Sequence, residues 1–319
     1  MLTRALHDHL VRYDSAAWRR AVVALLPVIP DVDRNATDIW FRFFPLDLFR
    51  LLESAPDEDA AIRQLGLMGR WRLRDQVDSS HRFLFAHRHW PQVKSAIQGA
   101  DPPYADDLAT LVRAVAEASS RTARCDADVL VGISAVGLMT LRQAGPEAVE
   151  AAPGKVHLTD RARALSTRQV MARRARDDRQ GLFGFLRGVR RRWTVTFDEN
   201  DPGATFPVIQ GQEIATAAQG DKREYRSLDI RCTPGEGPIP VECRAASCGT
   251  CWVGVLGGAE KLSEVVDRDE RRRMQVFGYL DTAEPRPLIR LACQAKASGA
   301  VSIVIPPWNG LYGKVLTRL

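Results

Sequence analysis

The sequence lacks any apolar run of the roughly 18–20 residues needed to cross a bilayer. Its best stretch, Val129 to Leu141, is uncharged but short and holds two glycines, so an integral membrane protein is not expected. Compositional bias is missing too. Hydrophobic residues make up 45% and charged residues 26% of the chain, which excludes collagen-like, low-complexity and wholly disordered sequences. There is no internal repeat, no Gly-rich nucleotide loop, and no nucleophile paired with a general base. A free-standing enzyme, a flavin or nicotinamide site and a small-molecule substrate are therefore not expected. With 319 residues, the chain exceeds one typical domain of about 100–200 residues, so two are expected.

Lysine is absent from residues 156–191, yet that segment carries ten arginines against Asp160, Asp177 and Asp178. The whole net charge of +6 lies there, between two nearly neutral flanks. A nucleic-acid binder would spread its basic surface or show a reading motif, and neither is present, so no nucleic-acid partner is expected. The segment reads first as a solvated linker helix capped near Thr159 or Ser166. Two other readings are docking to an acidic partner, which arginine favours, and peripheral membrane contact through residues 182–192, where Leu182, Phe183, Phe185 and Leu186 accompany Arg187 and Arg190–Arg192. Arg19-Arg20 ahead of an apolar stretch resembles an export signal, but upstream Asp8 and Asp14, the interrupting Pro27 and the missing cleavage pattern argue for an amphipathic helix. A cytoplasmic protein, membrane-associated at most through a partner, is expected.

Residues 1–150 read as a helical domain. Leu2, Leu6, Leu10 and Tyr13, then Trp18, Val22, Leu25 and Leu26, recur at helical spacing. A further helix is expected from Asn35, another over 108–116, and a buried one from 127 with a turn at Gly145-Pro146. Residues 151–191 form the arginine-rich linker. From 192 to 319 strands flank short helices without βαβ repeats, giving an α+β class: strands at 193–197, 288–292 and 301–305, short helix 211–218, and a charged amphipathic helix over 262–277.

Three of the six cysteines crowd into Cys243-Arg-Ala-Ala-Ser-Cys248-Gly-Thr-Cys251, with Cys293 far downstream. The spacing C-x4-C-x2-C…C is that of a plant-type [2Fe–2S] site. A cluster needs four thiolates, and a loop supplies three only if small residues let its N–H groups turn toward sulfur. A structural zinc site would more often use two C-x2-C knuckles; here only Cys248 and Cys251 have that spacing.

These stretches, with Gly211-Gln-Glu-Ile-Ala-Thr-Ala-Ala218 before them and Arg290-Leu-Ala-Cys-Gln294 and Val301-Ser-Ile-Val-Ile-Pro306 after, resemble the plant- and adrenodoxin-type ferredoxins over about residues 192–307. The resemblance implies a β-grasp domain, one [2Fe–2S] cluster held by Cys243, Cys248, Cys251 and Cys293, and one-electron transfer between protein partners, with a potential near about −400 mV. Ala246 departs from the family, where glycine is common, and the stretch from Cys251 to Cys293 is long, so helix 262–277 and the Asp281–Arg286 loop are expected to serve a partner. Too few further cysteines are present for a second cluster. An electron-transfer subunit or dedicated partner of a larger redox enzyme (hydrogenase, dehydrogenase or oxygenase) is the expected role. A redox- or iron-sensing regulator and a cluster-assembly factor are the alternatives.

Weaker signals read blandly. Cys232 and Cys125 are expected as buried small hydrophobes. His81, His87 and His89 are expected on a polar and aromatic surface, because helical spacing does not bring them together. Arg223-Glu-Tyr-Arg-Ser227 resembles a flavin-reductase motif by chance.

Overall fold

The computed structural model of the protein describes residues 1–44, 46–177, 191–265, 268–277, 279 and 284–309. The arginine-rich stretch 178–190, hence nearly all of the proposed membrane contact, and residues 281–283 of the 281–286 loop lie outside the described residues. In chain order come α1 (Leu2–Leu10), α2 (Ser15–Leu25), α3 (Asp31–Phe43), α4 (Leu46–Glu53), α5 (Glu58–Leu65) and the short β1 (Met68–Gly69). There follow α6 (Trp90–Gln98), α7 (Leu108–Ala123), α8 (Ala127–Ala144), α9 (Pro146–Ala151), α10 (Asp160–Arg163) and α11 (Thr167–Arg173). The remainder is β2 (Arg192–Thr196), β3 (Thr205–Ile209), β4 (Gln212–Glu213), α12 (Ile214–Ala218), β5 (Trp252–Gly257), α13 (Arg268–Val276), β6 (Ile289–Leu291), β7 (Lys296–Ala297), β8 (Val301–Val304) and β9 (Trp308–Asn309). The chain forms two compact units, one of Met1–Ser54 with Arg72–Thr167, the other of Ala55–Trp71 with Arg168–Leu319.

The first unit is a helical bundle around α8. That helix is long and apolar enough to cross a membrane, yet Leu130 through Gln143 are all buried within the unit, as befits a core helix that is hydrophobic all round. Side-chain caps start its neighbours: Asp14 accepts from Ala17 N–H at 2.7 Å and Asp107 from Thr110 N–H at 2.8 Å. Helix α3 begins at Asp31 rather than Asn35, because Pro30 supplies a fixed extended φ at the N-cap and Asp31 and Asp33 fill the first turn. Thr159 caps α10 as expected, accepting from Ala162 N–H.

Of His81, His87 and His89, the first two are not on a surface, while His89 is half-buried. His81 and His87 are buried, with their Nδ1 atoms 2.9 Å apart and His81 packed on Trp90. Helical spacing does not apply here, since residues 79–89 run through turns into a 3-10 turn at Phe85–His89. The buried Asp33 carboxylate anchors that turn by accepting from Phe85 and Ala86 N–H at 2.6 and 2.8 Å. Burial takes both rings below the ordinary imidazole value, so they are neutral near pH 7; with His81 Nε2–H donating to the Val77 carbonyl, its Nδ1 accepts from His87 Nδ1–H. Cys125 is half-exposed rather than buried, because Arg124 ends α7 in the left-handed conformation (φ +54°) and the thiol follows that turn.

In the second unit, five strands form a mixed sheet in the order β3-β2-β8-β5-β6 among the described residues. β2 and β3 make an antiparallel hairpin, β2 and β8 run parallel, and β5 pairs antiparallel with both β8 and β6. Helix α12 packs against β3. This is the α+β arrangement expected of a β-grasp domain. Buried Val195, Phe206, Val208, Ile214, Val253, Val255 and Ile303 form its core. The expected helix over 262–277 is shorter, Arg268–Val276, because Leu262 instead bridges to Ala297 and Ser263 N–H donates to the Lys296 carbonyl. Within the arginine-rich segment, helix α11 has no buried residue, as a solvated helix should, but the residues that follow it are anchored. Arg174, 3% exposed, forms a double hydrogen bond with Glu199 at 2.8 Å, and Asp177 accepts from Lys261 Nζ and Ala300 N–H.

Candidate metal centre

Strand register brings two distant cysteines together. Trp252 on β5 pairs with Leu291 on β6, and the Ala292 N–H donates to the Cys251 carbonyl at 2.9 Å. Cys251 and Cys293, each next to the end of one of those strands, therefore lie side by side, both buried. Their sulfurs share a hydrogen bond that brings the Cys293 thiol down to about 6 and pushes Cys251 well up.

The loop carrying the other two thiols is irregular because its geometry serves the sulfurs rather than a helix or strand. Arg244 and Ala246 adopt φ of +55° and +54°, and Gly249 +70°, which turns successive N–H groups inward as an anion-binding nest does. Ala245, Ser247 and Cys248 N–H groups all donate to Cys243 Sγ, at 3.4, 3.4 and 3.3 Å, and Thr250 N–H donates to Cys248 Sγ at 3.4 Å. Partial burial opposes ionisation of Cys243, but these donors outweigh it and hold its thiol at about 7. Cys248 is raised, chiefly by burial. Gln294 Nε2 and the Ala246 N–H both serve Cys293 Sγ.

Among the described residues no three His, Cys, Asp or Glu side chains converge as ligands of a single ion. The thiols fall instead into two neighbouring pairs, a half-exposed Cys243/Cys248 and a buried Cys251/Cys293, with Cys251 close enough to feel the charge of Cys248. Two pairs of thiols, ringed by N–H donors that stabilise added negative charge, fit a two-iron cluster in which each iron takes two.

Cys232 stands apart. It is buried, bonds the Pro238 carbonyl, and burial pushes its thiol up to about 11, so it is the packed hydrophobe that the sequence suggests. The Arg223–Ser227 motif is structural: Arg223 pairs with Asp221 and reaches the Gly203 and Thr205 carbonyls, while Tyr225 Oη donates to Asp221 at 2.6 Å.

Two residues were not foreseen. Glu270 on α13 and Arg290 on β6 form a buried ion pair three residues ahead of Cys293. The sequence signal was available in Arg290 itself, a cation inside the apolar run Leu288-Ile-Arg-Leu-Ala292.

Residues 197–298 match the family model of the 2Fe-2S iron-sulfur cluster binding domain. All four cysteines of the two pairs fall within that span. The second unit thus carries a [2Fe–2S] ferredoxin-type domain with an electron-transfer role and redox partners, and residues 1–196 lie outside the match. No curated protein and no solved structure matches the chain.

Proposed function

We propose that Cys243, Cys248, Cys251 and Cys293 are the ligands of the cluster, and that the chain works in the cytoplasm as an electron-transfer subunit or dedicated partner of a larger redox enzyme. The observation that carries the ligand assignment is the β5–β6 register, which sets Cys293 beside Cys251 and next to a loop whose N–H groups already face sulfur. When bound, the cluster stores and releases one electron. The protein holds it at the half-exposed Cys243/Cys248 pair, toward which a partner can approach, and buries the Cys251/Cys293 pair. The N–H groups offset the extra negative charge of the reduced state.

Dedicated docking is supported by the segment leading into Cys243. Leu228 and Ile230 are 80% and 71% exposed, while the backbone beneath them is braced: Leu228 and Asp229 N–H donate to the Tyr225 carbonyl, and Arg231 grips Asp229 and the Pro306 carbonyl. Glu236 of the same segment pairs with Arg244 of the cysteine loop at 3.1 Å. Two apolar side chains on an ordered loop tied to the cluster loop lose little entropy on meeting an apolar pocket of a partner.

The test is iron and acid-labile sulfide content with EPR of the dithionite-reduced protein. Two irons and two sulfides, with a rhombic S = 1/2 signal, are expected. Serine at any of the four positions should abolish or alter that signal, and Cys232→Ser should leave it unchanged. Zinc in the purified protein, or a native signal in Cys293→Ser, would overturn the assignment. Affinity capture under reducing conditions should retain a redox enzyme.

A further inference from the structure

Residues far outside the ferredoxin-type span close the back of the cysteine loop. β1 pairs antiparallel with β9, Met68 facing Asn309 and Gly69 facing Trp308, and Arg70 N–H donates to the Pro307 carbonyl at 2.8 Å. Arg231, its side chain 2% exposed, holds the same turn by donating to the Pro306 carbonyl at 2.6 Å. β9 ends on Asn309, itself 2% exposed, whose Nδ2 donates to the Thr250 carbonyl. That carbonyl can only accept, so the amide nitrogen is the atom that faces it.

Thr250 sits between Cys248 and Cys251, its N–H on Cys248 Sγ and its hydroxyl on Glu242. Fixing the Thr250 carbonyl fixes the peptide plane that leads into Cys251. Releasing it would leave a buried acceptor without its donor and free the hinge between the outer and inner thiols. Gly69 makes the strand pairing possible. Its φ is +85°, and a Cβ there would stand 2.5 Å from the Pro307 carbonyl oxygen and 2.9 Å from Arg231.

We infer that Asn309 is a positioning residue for the cluster loop, held in place by β1 from residues 68–69, so that the cluster domain is completed by elements on both sides of its family span. The inference rests on the ligand assignment above for its cluster readout, and on the Asn309–Thr250 contact alone for its structural one.

The experiment uses the full chain with Asn309→Asp, which keeps the shape but removes the donor, Asn309→Ala, and Gly69→Ala, which strikes the strand pair instead. Three measurements apply to each: cluster loss to a ferrous chelator, amide exchange over residues 248–252, and far-UV circular dichroism. With the dichroism unchanged, cluster loss is expected to quicken about fivefold, the factor of one neutral hydrogen bond, and exchange to rise at the same peptides in all three variants. Wild-type exchange and cluster lifetime in Asn309→Asp would overturn the inference. If the wild type holds no two-iron cluster, the ligand reading falls, while exchange in the apoprotein still decides the tie between Asn309 and Thr250. Should Asn309→Ala fail to fold, Asn309→Asp and Gly69→Ala carry the decision.

Discussion

Glu270 and Arg290 face each other through two hydrogen bonds, of 2.9 and 3.1 Å, with both side chains at most 2% exposed. Arg290 also donates to the Ser263 carbonyl, and Glu270 accepts from Leu291 N–H, so each side-chain nitrogen and oxygen of the pair has at least one partner. The pair ties α13 to the strand that delivers Cys293. Burying two charges costs several kcal/mol each, and removing one partner strands the other. Arg290→Met or Glu270→Gln should therefore destabilise the second unit by about 3–5 kcal/mol, with the double substitution costing less than the sum of the two. Denaturant melts of the three variants measure this, and simple additivity would refute the coupling.

Ala246 and Gly249 invite opposite substitutions. At φ +54° the alanine carries the cost of a left-handed conformation, about 1–2 kcal/mol. Ala246→Gly should stabilise the loop by about 1 kcal/mol while keeping the N–H that serves Cys293. Gly249 combines φ +70° with a Phe277 ring 2.3 Å from where a Cβ would lie. Gly249→Ala should cost about 2–4 kcal/mol, strain and overpacking together, and speed loss of the cluster. Thermal melts and cluster half-lives check both directions.

The histidine pair makes the helical unit acid-sensitive. Burial, then the nearby Arg82, lowers His87 to about 4, with Asp78 partly opposing; burial and His87 take His81 well below its ordinary value. Because the folded state prefers the neutral rings, their contribution is complete above the unfolded value near pH 6.5 and is lost as pH falls toward about 4. For His87 alone that loss is on the order of 3 kcal/mol. Stability measured at pH 7, 5.5 and 4.5 should fall steeply, and His87→Gln should flatten the dependence. An unchanged slope in that variant would refute the assignment.

If Leu228 and Ile230 are the docking side chains, Leu228→Ser with Ile230→Ser should slow electron delivery to the partner about tenfold or more. Each buried anchor is worth about 1–2 kcal/mol. The midpoint potential should stay unchanged, since both side chains are exposed and the N–H donors to sulfur come from Ala245, Ser247, Cys248 and Thr250 instead. Stopped-flow reduction set beside a redox titration separates the two effects, and a shifted potential with a normal rate would contradict the reading.

The cluster domain was legible because ligand chemistry leaves its mark in contiguous residues: three thiols at C-x4-C-x2-C spacing, with mostly small side chains between them. Strand β2 and the buried α8 were legible through alternation and an uncharged apolar run, whereas β3, which closes the hairpin with β2, was not anticipated. His81 and His87 were misread because a helical repeat was assumed where turns anchored by the buried Asp33 bring the rings together. The place of Ala55–Trp71 in the second unit left no trace, since a two-residue strand has no periodicity and its partner lies some 240 residues away in the sequence. Glu270 was hidden for a different reason: in a helix as charged as Arg268–Val276, nothing but tertiary packing marks the one carboxylate that faces inward.

The membership of Ala55–Trp71 in the second unit also bears on how the polypeptide matures during synthesis. Residues 68–69 leave the ribosome well ahead of their strand partner, which is made only after more than two hundred further residues. At elongation rates of about 5–20 residues per second, β1 waits about 12–48 seconds before it can be paired. The helical unit, assembled from the stretches on either side of that excursion, is synthesised before β9 and can complete first, so that closure of the cysteine loop, and iron loading with it, would follow the folding of that unit.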